Sequence, residues 1–507
     1  RIFCVPQRTR HRFVGLSFNI DGLPLSKSSR LQLWPIQCQV ELSATHKLPE
    51  PVIVGAFLGP AKPNSANEFL RPFVLELKNL VQVGVMISGK LVKVEIRSFI
   101  CDAPARAFIF MTKGHAGYSG CPKCTAEGSF NEKMFFPTSE STLRTDESFR
   151  KQEDFEHHHG VSLLTELPID CVSSVPVDPM HLLYLGVVRK LLNLWFAGPL
   201  TVRLGPTDRK EISAKSAALE GCVPLEFARK PRTLDEKDRW KATEFRLFLH
   251  YTGPLVLRES LPSPMLVNFL TLHVAATILS TPSLCQQHAD YAETLLQHFV
   301  KCFAKLYGQE EVSYNVHCLL HLAADARLYG TLDSFSAFSF ENNMQAIKKL
   351  LRKPGCALNQ IYNRLEEKRT SKAEKSYFER QPREFLLAND DVGNLPPSCK
   401  LPQYKGIRLE SFTLSLRPND NCCQINEDVI IIENFAHRVS DGEPCIVGRK
   451  FCEKEALYTS PLDSRRLGIS IVSKLSSVMC WPIENVKKLV KLPYKGKFVV
   501  LPLLHTA

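Results

Sequence analysis

An α/β fold is what the sequence predicts, and three observations point there. Runs of β-branched and aromatic residues, separated by Gly, Pro and Ser clusters, fill the first hundred positions. Within them, Glu68–Val83 places Phe69, Phe73, Leu77 and Leu80 at helical spacing. From about residue 160 to 335 the pattern becomes long helical periodicities broken by prolines, and after about 390 it returns to short β-like runs.

Taken in order, Arg12–Ile20, Leu31–Leu42 and Val52–Leu58 read as strands, Glu68–Val83 as a helix, Leu91–Ile100 as a fourth strand and Ala103–Met111 as a short helix. This β-β-β-α-β-α order is that of an RNase H-like core, in which the ends of the first and fourth strands lie side by side. Asp21 and Asp102 end the apolar runs Phe13–Ile20 and Leu91–Cys101, so the order makes them neighbours. The helical part contains Asp178–Trp195, Thr233–Tyr251, Leu266–Leu279 and Asp290–Tyr307, which suits a large all-α insertion. Glu341 then opens a helical segment, Phe340–Arg352, and the charged stretch Glu366–Lys375 reads as a solvated helix or linker. Val429–Glu433, Pro444–Val447, Ile469–Val472 and Phe498–Leu501 suggest a small β-rich C-terminal domain. The expected organisation is a first core part over 1–125 and a helical insertion over 126–335. A closing helix and linker follow over 336–389, then the β-rich domain over 390–507.

The chain's 507 residues, 44% of them hydrophobic, suffice for about three domains and a sizeable core. A net charge of +12 favours a polyanionic partner. No apolar stretch approaches the roughly 18–20 residues of a membrane span. Seventeen cysteines, an odd number without regular spacing, favour a reduced intracellular compartment. The sequence starts at Arg1 with neither Met nor signal peptide, and reads as a fragment lacking its natural N-terminus.

Asp21, Asp102 and Glu341 form the candidate catalytic set. Two carboxylates at neighbouring strand ends and one from a facing helix can hold two Mg²⁺ ions about 4 Å apart, clamping the attacking and leaving oxygens of a phosphodiester. Singly, each has a bland reading: a strand-end Asp is usually a turn residue, and Glu341 suits an ordinary amphipathic helix. Glu341 shares its face with Gln345, Lys348 and Arg352, opposite Phe340, Met344, Ile347 and Leu351, and cations there suit a DNA backbone. Cys121-Pro122-Lys123-Cys124 supplies half of a tetrahedral zinc site. His317 and His321, one helical turn apart, supply the other half as a long-range clasp. The alternatives are a redox pair or a metal-free knuckle with two core histidines. In Asp178-Pro179-Met180-His181, Asp caps a helix and Pro opens it, whereas His181 exceeds what a cap requires and suits contact with a phosphate or the scissile strand. Arg229, Lys230 and Arg232, and the run Lys487–Lys497, are further candidate phosphate contacts, although such clusters are usually solvated surface. His157-His158-His159 reads as a loop. No Walker loop, Gly-x-Ser-x-Gly elbow or His-Glu-x-x-His motif is present.

Several motifs together resemble the CACTA-type (En/Spm-like) DDE transposases. They are Ile20–Leu25, Cys101–Arg106, Lys113–Tyr118 through Cys124, Asp178–His181, Trp240–Arg246, Tyr314–His321 and Phe338–Lys349. The resemblance spans roughly residues 12–370 and leaves the C-terminal domain outside. It implies an RNase H-like fold with a helical insertion and cut-and-paste strand transfer on double-stranded DNA in the nucleus. By the same resemblance Asp21, Asp102 and Glu341 become the metal triad, with Mg²⁺ or Mn²⁺ and Zn²⁺ as cofactors. The related V(D)J recombinase catalytic subunit also places a zinc-binding Cys-x-x-Cys after its second acid and two histidines before its third, spaced by five where this chain has four. The expected partners are transposon ends and target DNA, with a homo-oligomer as candidate assembly and no membrane. Two other readings stand beside this one: a domesticated or decayed transposase that binds DNA or protein without catalysis, and a hydrolytic RNase H-type nuclease.

Overall fold

A computed structural model describes residues 13–25, 30–43, 46–47, 50–87, 89–138, 141–353, 355–374, 384–389 and 391–504. The fold is mixed α/β. The chain forms two compact units: one comprises 1–187, 285–293 and 300–379, the other 188–284, 294–299 and 380–507. Arg12 and Lys375, which end two expected elements, lie outside the described residues.

In the first unit, β1 (Phe13–Ile20), β2 (Gln32–Ser43) and β3 (Val52–Gly59) are successive antiparallel neighbours, and β4 (Lys90–Phe99) runs parallel to β1 on its other side. Every β1 residue except Phe13 is buried, which requires cover on both faces of the sheet. α1 (Ala66–Val83) covers one of them with Leu70, Val74 and Leu77, and Phe73 meets Phe18 edge-on at 5.0 Å. Ser65 caps α1 by accepting from the Glu68 N–H, and Gly84, at φ 79°, ends it. A side chain at Gly84 would place its Cβ 2.7 Å from the Val92 carbonyl, so glycine is required there. α2 (Ala103–Phe110) follows β4 directly. Far along the chain, α3 (Tyr314–Tyr329) and α4 (Phe338–Lys348) return to this unit.

α4 begins three residues after Phe335 and stops at Lys348, short of the expected Arg352. Pro354 in the sequence disfavours helical geometry at Lys353, and the Arg352 N–H turns to the Gln360 side chain at 3.2 Å. Leu351 and Arg352 therefore do not continue the two faces of the Glu341 helix.

The second unit combines helices with a closed barrel. Going around it, Asp428–Arg438 pairs Cys422–Ile425, then Lys487–Tyr494, Lys497–Pro502, Ser470–Leu475 and Pro444–Ala456, which pairs back to Asp428–Arg438. Of the run Lys487–Lys497, expected as candidate phosphate contacts, Lys487–Tyr494 is thus a barrel strand and Lys497 opens the next, and Lys488 is fully buried. Its ammonium binds Asp420 at 2.6 Å and Glu226 at 2.7 Å. The expected helix Thr233–Tyr251 is broken. A 3-10 turn, Leu234–Arg239, precedes Trp240 and Lys241 in extended geometry, and the helix restarts at Ala242 because the Glu244 carboxylate accepts from the Lys241 N–H at 2.7 Å.

Ser263–Ser280 corrects the expectation about apolar stretches. Its 18 residues have a mean hydropathy of 1.4, long and apolar enough to cross a membrane, but 67% of the stretch is buried. Asn268 donates to the Phe299 carbonyl and His273 bonds the Leu249 carbonyl, as in a core helix of this unit. Among the described residues, 160–335 contain helices and turns but no strand.

Candidate functional site

Parallel pairing of β1 with β4 brings the first two acids together. The Ile100 N–H donates to the Phe18 carbonyl at 2.7 Å, so both strands end at one level, with Asp21 and Asp102 just beyond. Asp21 accepts from the Gly22 N–H at 2.6 Å, and Asp102 caps α2 by accepting from the Ala105 N–H at 2.8 Å. Asp102 thus combines the bland role of a cap with a place in the cluster. Glu341 lies in the first turn of α4 and shares a hydrogen bond with Asp21. Burial, then the charges of Asp102 and Glu341, push the Asp21 carboxyl from 3.8 up to about 7, against the Gly22 N–H and His181. Burial also raises Glu341, while His181 and the hydrogen bond with Asp21 oppose the rise.

His181 completes this group. Its Nδ1 donates to Asp178 Oδ2 at 2.6 Å. Burial alone would lower the imidazole, but the hydrogen bond and charge of Asp178, with Asp102 and Glu341, outweigh it and lift it to about 9. At neutral pH His181 is therefore a cation facing the acids. Asp178, 2% exposed, does more than the expected capping. Besides the Met180 and His181 N–H groups, it accepts from the Ala337 N–H at 2.8 Å, at the start of the helix bearing Glu341.

Cys121, Cys124, His317 and His321 form a second, wholly buried cluster, with their ligating atoms all within 4.8 Å of one another. Cys121 Sγ lies 3.4 Å from His321 Nε2, Cys124 Sγ lies 3.3 Å from His317 Nε2, and the two sulfurs are 3.5 Å apart. Zinc bonded at about 2.3 Å to sulfur and 2.1 Å to nitrogen sets tetrahedral edges of about 3.6 Å between sulfur and nitrogen and about 3.8 Å between sulfurs, so these pairs need little adjustment to hold such an ion. His317 Nδ1 faces the Pro137 carbonyl at 3.3 Å, and Phe136 stacks on the ring at 5.2 Å, which fixes its orientation. Burial opposes ionisation of Cys121, but hydrogen bonds with Cys124, Cys318, His317 and His321 carry its thiol well below the usual range. The bond to Cys121, together with burial, raises Cys124. One thiolate is already favoured, and a divalent cation would supply the attraction that ionises the other.

The elements around this cluster are cross-tied. Lys123, inside the knuckle, forms a buried pair with Asp325 of α3 at 2.8 Å, and Asp325 also accepts from the Val177 N–H. Arg106 of α2 is buried and bonds the Tyr314 hydroxyl at the start of α3, its guanidinium 5.8 Å from the ring centroid.

The expected DNA contacts are less uniform. Lys348 donates to the Pro24 carbonyl at 2.8 Å, close in sequence to Asp21. Arg229 and Arg352 are exposed. Arg232 pairs with Glu244 and Glu236, both at 2.7 Å, and Lys230 donates to the Pro224 carbonyl, so these two hold their own unit together.

Residues 389–503 match a family described as a domain of unknown function (DUF8592). The match covers the barrel strands. No curated protein matches the chain.

Proposed function

We propose that this chain is a DDE-type transposase, a metal-dependent polynucleotidyl transferase acting on double-stranded DNA. The observation that carries the reading is the meeting of Asp21, Asp102 and Glu341 from two strand ends and a helix widely separated in sequence. The sheet order β3-β2-β1-β4, with only the last pair parallel, supports an RNase H-like core. The donor set fits hard divalent cations, since acids raised by mutual repulsion are acids a cation would relieve.

Asp21, Asp102 and Glu341 would hold two such ions, Mg²⁺ or Mn²⁺, which supply charge neutralisation and an activated water or 3′-hydroxyl at the phosphodiester. The chain's own part is geometric. β1 and β4 set the spacing of the two aspartates, and α4 delivers Glu341 to them. His181, held cationic by Asp178, would donate to a phosphate oxygen and orient the scissile strand. Zinc in the Cys121/Cys124/His317/His321 set would fix α3, and through Tyr314 and Arg106 the helix that Asp102 caps.

The test uses the purified full chain, a plasmid carrying the genomic sequences that flank its coding region, and Mg²⁺ or Mn²⁺. Strand cleavage followed by joining, lost in Asp21→Asn, Asp102→Asn and Glu341→Gln, is the expected result. Cleavage without joining favours an RNase H-type nuclease. DNA retention without cleavage favours a decayed transposase acting as a binding module.

A further inference from the structure

We propose that Gln37 is a positioning residue for the carboxylate cluster, the middle rung of a buried amide ladder that fixes Glu341 against the strand ends bearing Asp21 and Asp102. The proposal rests on the two-cation reading above and deepens it by naming a residue that carries no charge.

The ladder crosses the sheet in one continuous path. Asn19 Nδ2 donates to the Ile100 carbonyl at 2.8 Å. Gln37 Nε2 donates to Asn19 Oδ1 at 3.0 Å, and the two residues are direct cross-strand partners of β1 and β2. Asn343 Nδ2, on α4, donates to Gln37 Oε1 at 2.8 Å and to the Pro51 carbonyl at 3.1 Å, while Gln37 Nε2 also reaches the Phe340 carbonyl at 3.4 Å. Asn19 and Gln37 are 4% and 0% exposed. Asn19 stands two positions before Asp21, Ile100 two before Asp102, and Phe340 and Asn343 flank Glu341. Each acid thus has a member of the ladder within two residues.

Packing alone does not call for these amides. Phe18, Ile20, Ile36 and Cys38 alternate with them and project into the apolar core from the other face of the sheet, while Ser17 and Gln39 share the amides' face. An apolar side chain at position 37 would still avoid the cost of burying one more polar group. A fully satisfied polar network adds direction, because it admits one arrangement of the elements it joins. Direction matters here, since three like charges repel and would drive Glu341 away from the aspartates. Amides do not titrate, so the ladder holds its geometry whichever acid carries a proton.

The test is Gln37→Met in the full chain, which keeps length and approximate volume but removes the hydrogen bonds. Three quantities are measured: Mn²⁺ affinity by electron paramagnetic resonance, amide exchange of peptides covering 338–348, and zinc content with melting temperature. The expected result is Mn²⁺ affinity lowered about 10- to 100-fold, the usual effect of losing an outer partner of a metal ligand, with faster exchange at 338–348. Zinc content stays close to wild type, and the melting temperature falls by only a few degrees, because Asn19 Oδ1 loses its donor while the fold is kept. Unchanged exchange overturns the ladder; faster exchange with unchanged Mn²⁺ affinity overturns its positioning role. If wild type binds no Mn²⁺ that Asp21→Asn abolishes, the two-cation reading falls, and the exchange result alone decides the ladder. Should Gln37→Met fail to fold, Asn343→Leu removes the rung nearest Glu341 from a half-buried position and is judged by the same outcomes.

Discussion

Replacing Asp178 by Asn separates two jobs that one carboxylate performs. Oδ1 accepts from the Met180 and Ala337 N–H groups, and Oδ2 takes the His181 N–H and Nδ1. An asparagine oriented with its carbonyl at Oδ1 keeps the tie to α4 but loses the charge that holds His181 protonated. A rise of the imidazole from 6.5 to about 9 corresponds to about 3 kcal/mol at full effect. The His181 side chain is 31% exposed, so solvent screening reduces this to about 2 kcal/mol. Because the folded value lies above the unfolded one, this stabilisation is fully present below about pH 6.5 and disappears as pH rises through about 9. NMR of histidine-labelled protein, with His181→Gln assigning the resonance, follows the titration. His181 should titrate near 9 in wild type and at or below its ordinary value in Asp178→Asn. Asp178→Ala should additionally cost about 1–3 kcal/mol, because the buried Ala337 N–H loses its acceptor. A wild-type His181 titrating below 7, or one indifferent to Asp178→Asn, refutes the reasoning.

Three other outcomes are expected. Elemental analysis of the purified chain should give one zinc per molecule, lost in Cys121→Ser/Cys124→Ser; zinc that is absent, or that persists in the variant, removes the clasp. Asp21→Asn at pH 8 should stabilise the cation-free protein by up to about 4 kcal/mol. The raised Asp21 carboxyl costs stability as pH climbs from 3.8 through about 7, and an amide has no such cost; a lower melting temperature contradicts this. Lys488→Met should destabilise the barrel unit by about 3–5 kcal/mol in denaturant titration, since Asp420 and Glu226 would keep buried charges without their cation. A change below 1 kcal/mol would refute this account of the pair of ion pairs.

How far the sequence was legible depends on the range of each signal. β1, β4 and α1 announce themselves by local apolar pattern, and strand ends then locate Asp21 and Asp102. Cys121, Cys124, His317 and His321 were legible because metal ligands come in short characteristic spacings, even when the halves are 193 residues apart. Gln37 and Asn343 gave no such signal. They meet across 306 residues, and an amide in a strand looks like any other polar residue until its partner is known. Asp178 was half legible: its cap is local, whereas its bond to Ala337 spans 159 residues. Within Lys487–Lys497 charge density hides a strand, and Val490 and Leu492 carry the signal that Lys487, Lys488 and Lys491 obscure. Arg232 reads as an unpaired cation for a related reason, since its partners Glu236 and Glu244 lie four and twelve residues on in sequence but at its side in space.

The three acids are not anchored alike, and the asymmetry says where the site can loosen. Asp21 and Asp102 follow two strands that pair in parallel to their ends, with one register shift at Leu16/Ser17, so their separation is set by sheet spacing. Glu341 arrives on a helix with no backbone ladder to either strand. Its place depends on side chains: Asp178 at Ala337, Gln37 at Phe340 and Asn343, and Met344 and Ile347 packed with Leu23 and Leu33. These supports concentrate where like charge pushes hardest, on the one carboxylate that the sheet does not hold. Changes that loosen the cluster while leaving the fold intact should therefore act through α4, and the distance from Glu341 to the aspartates is the coordinate along which they act.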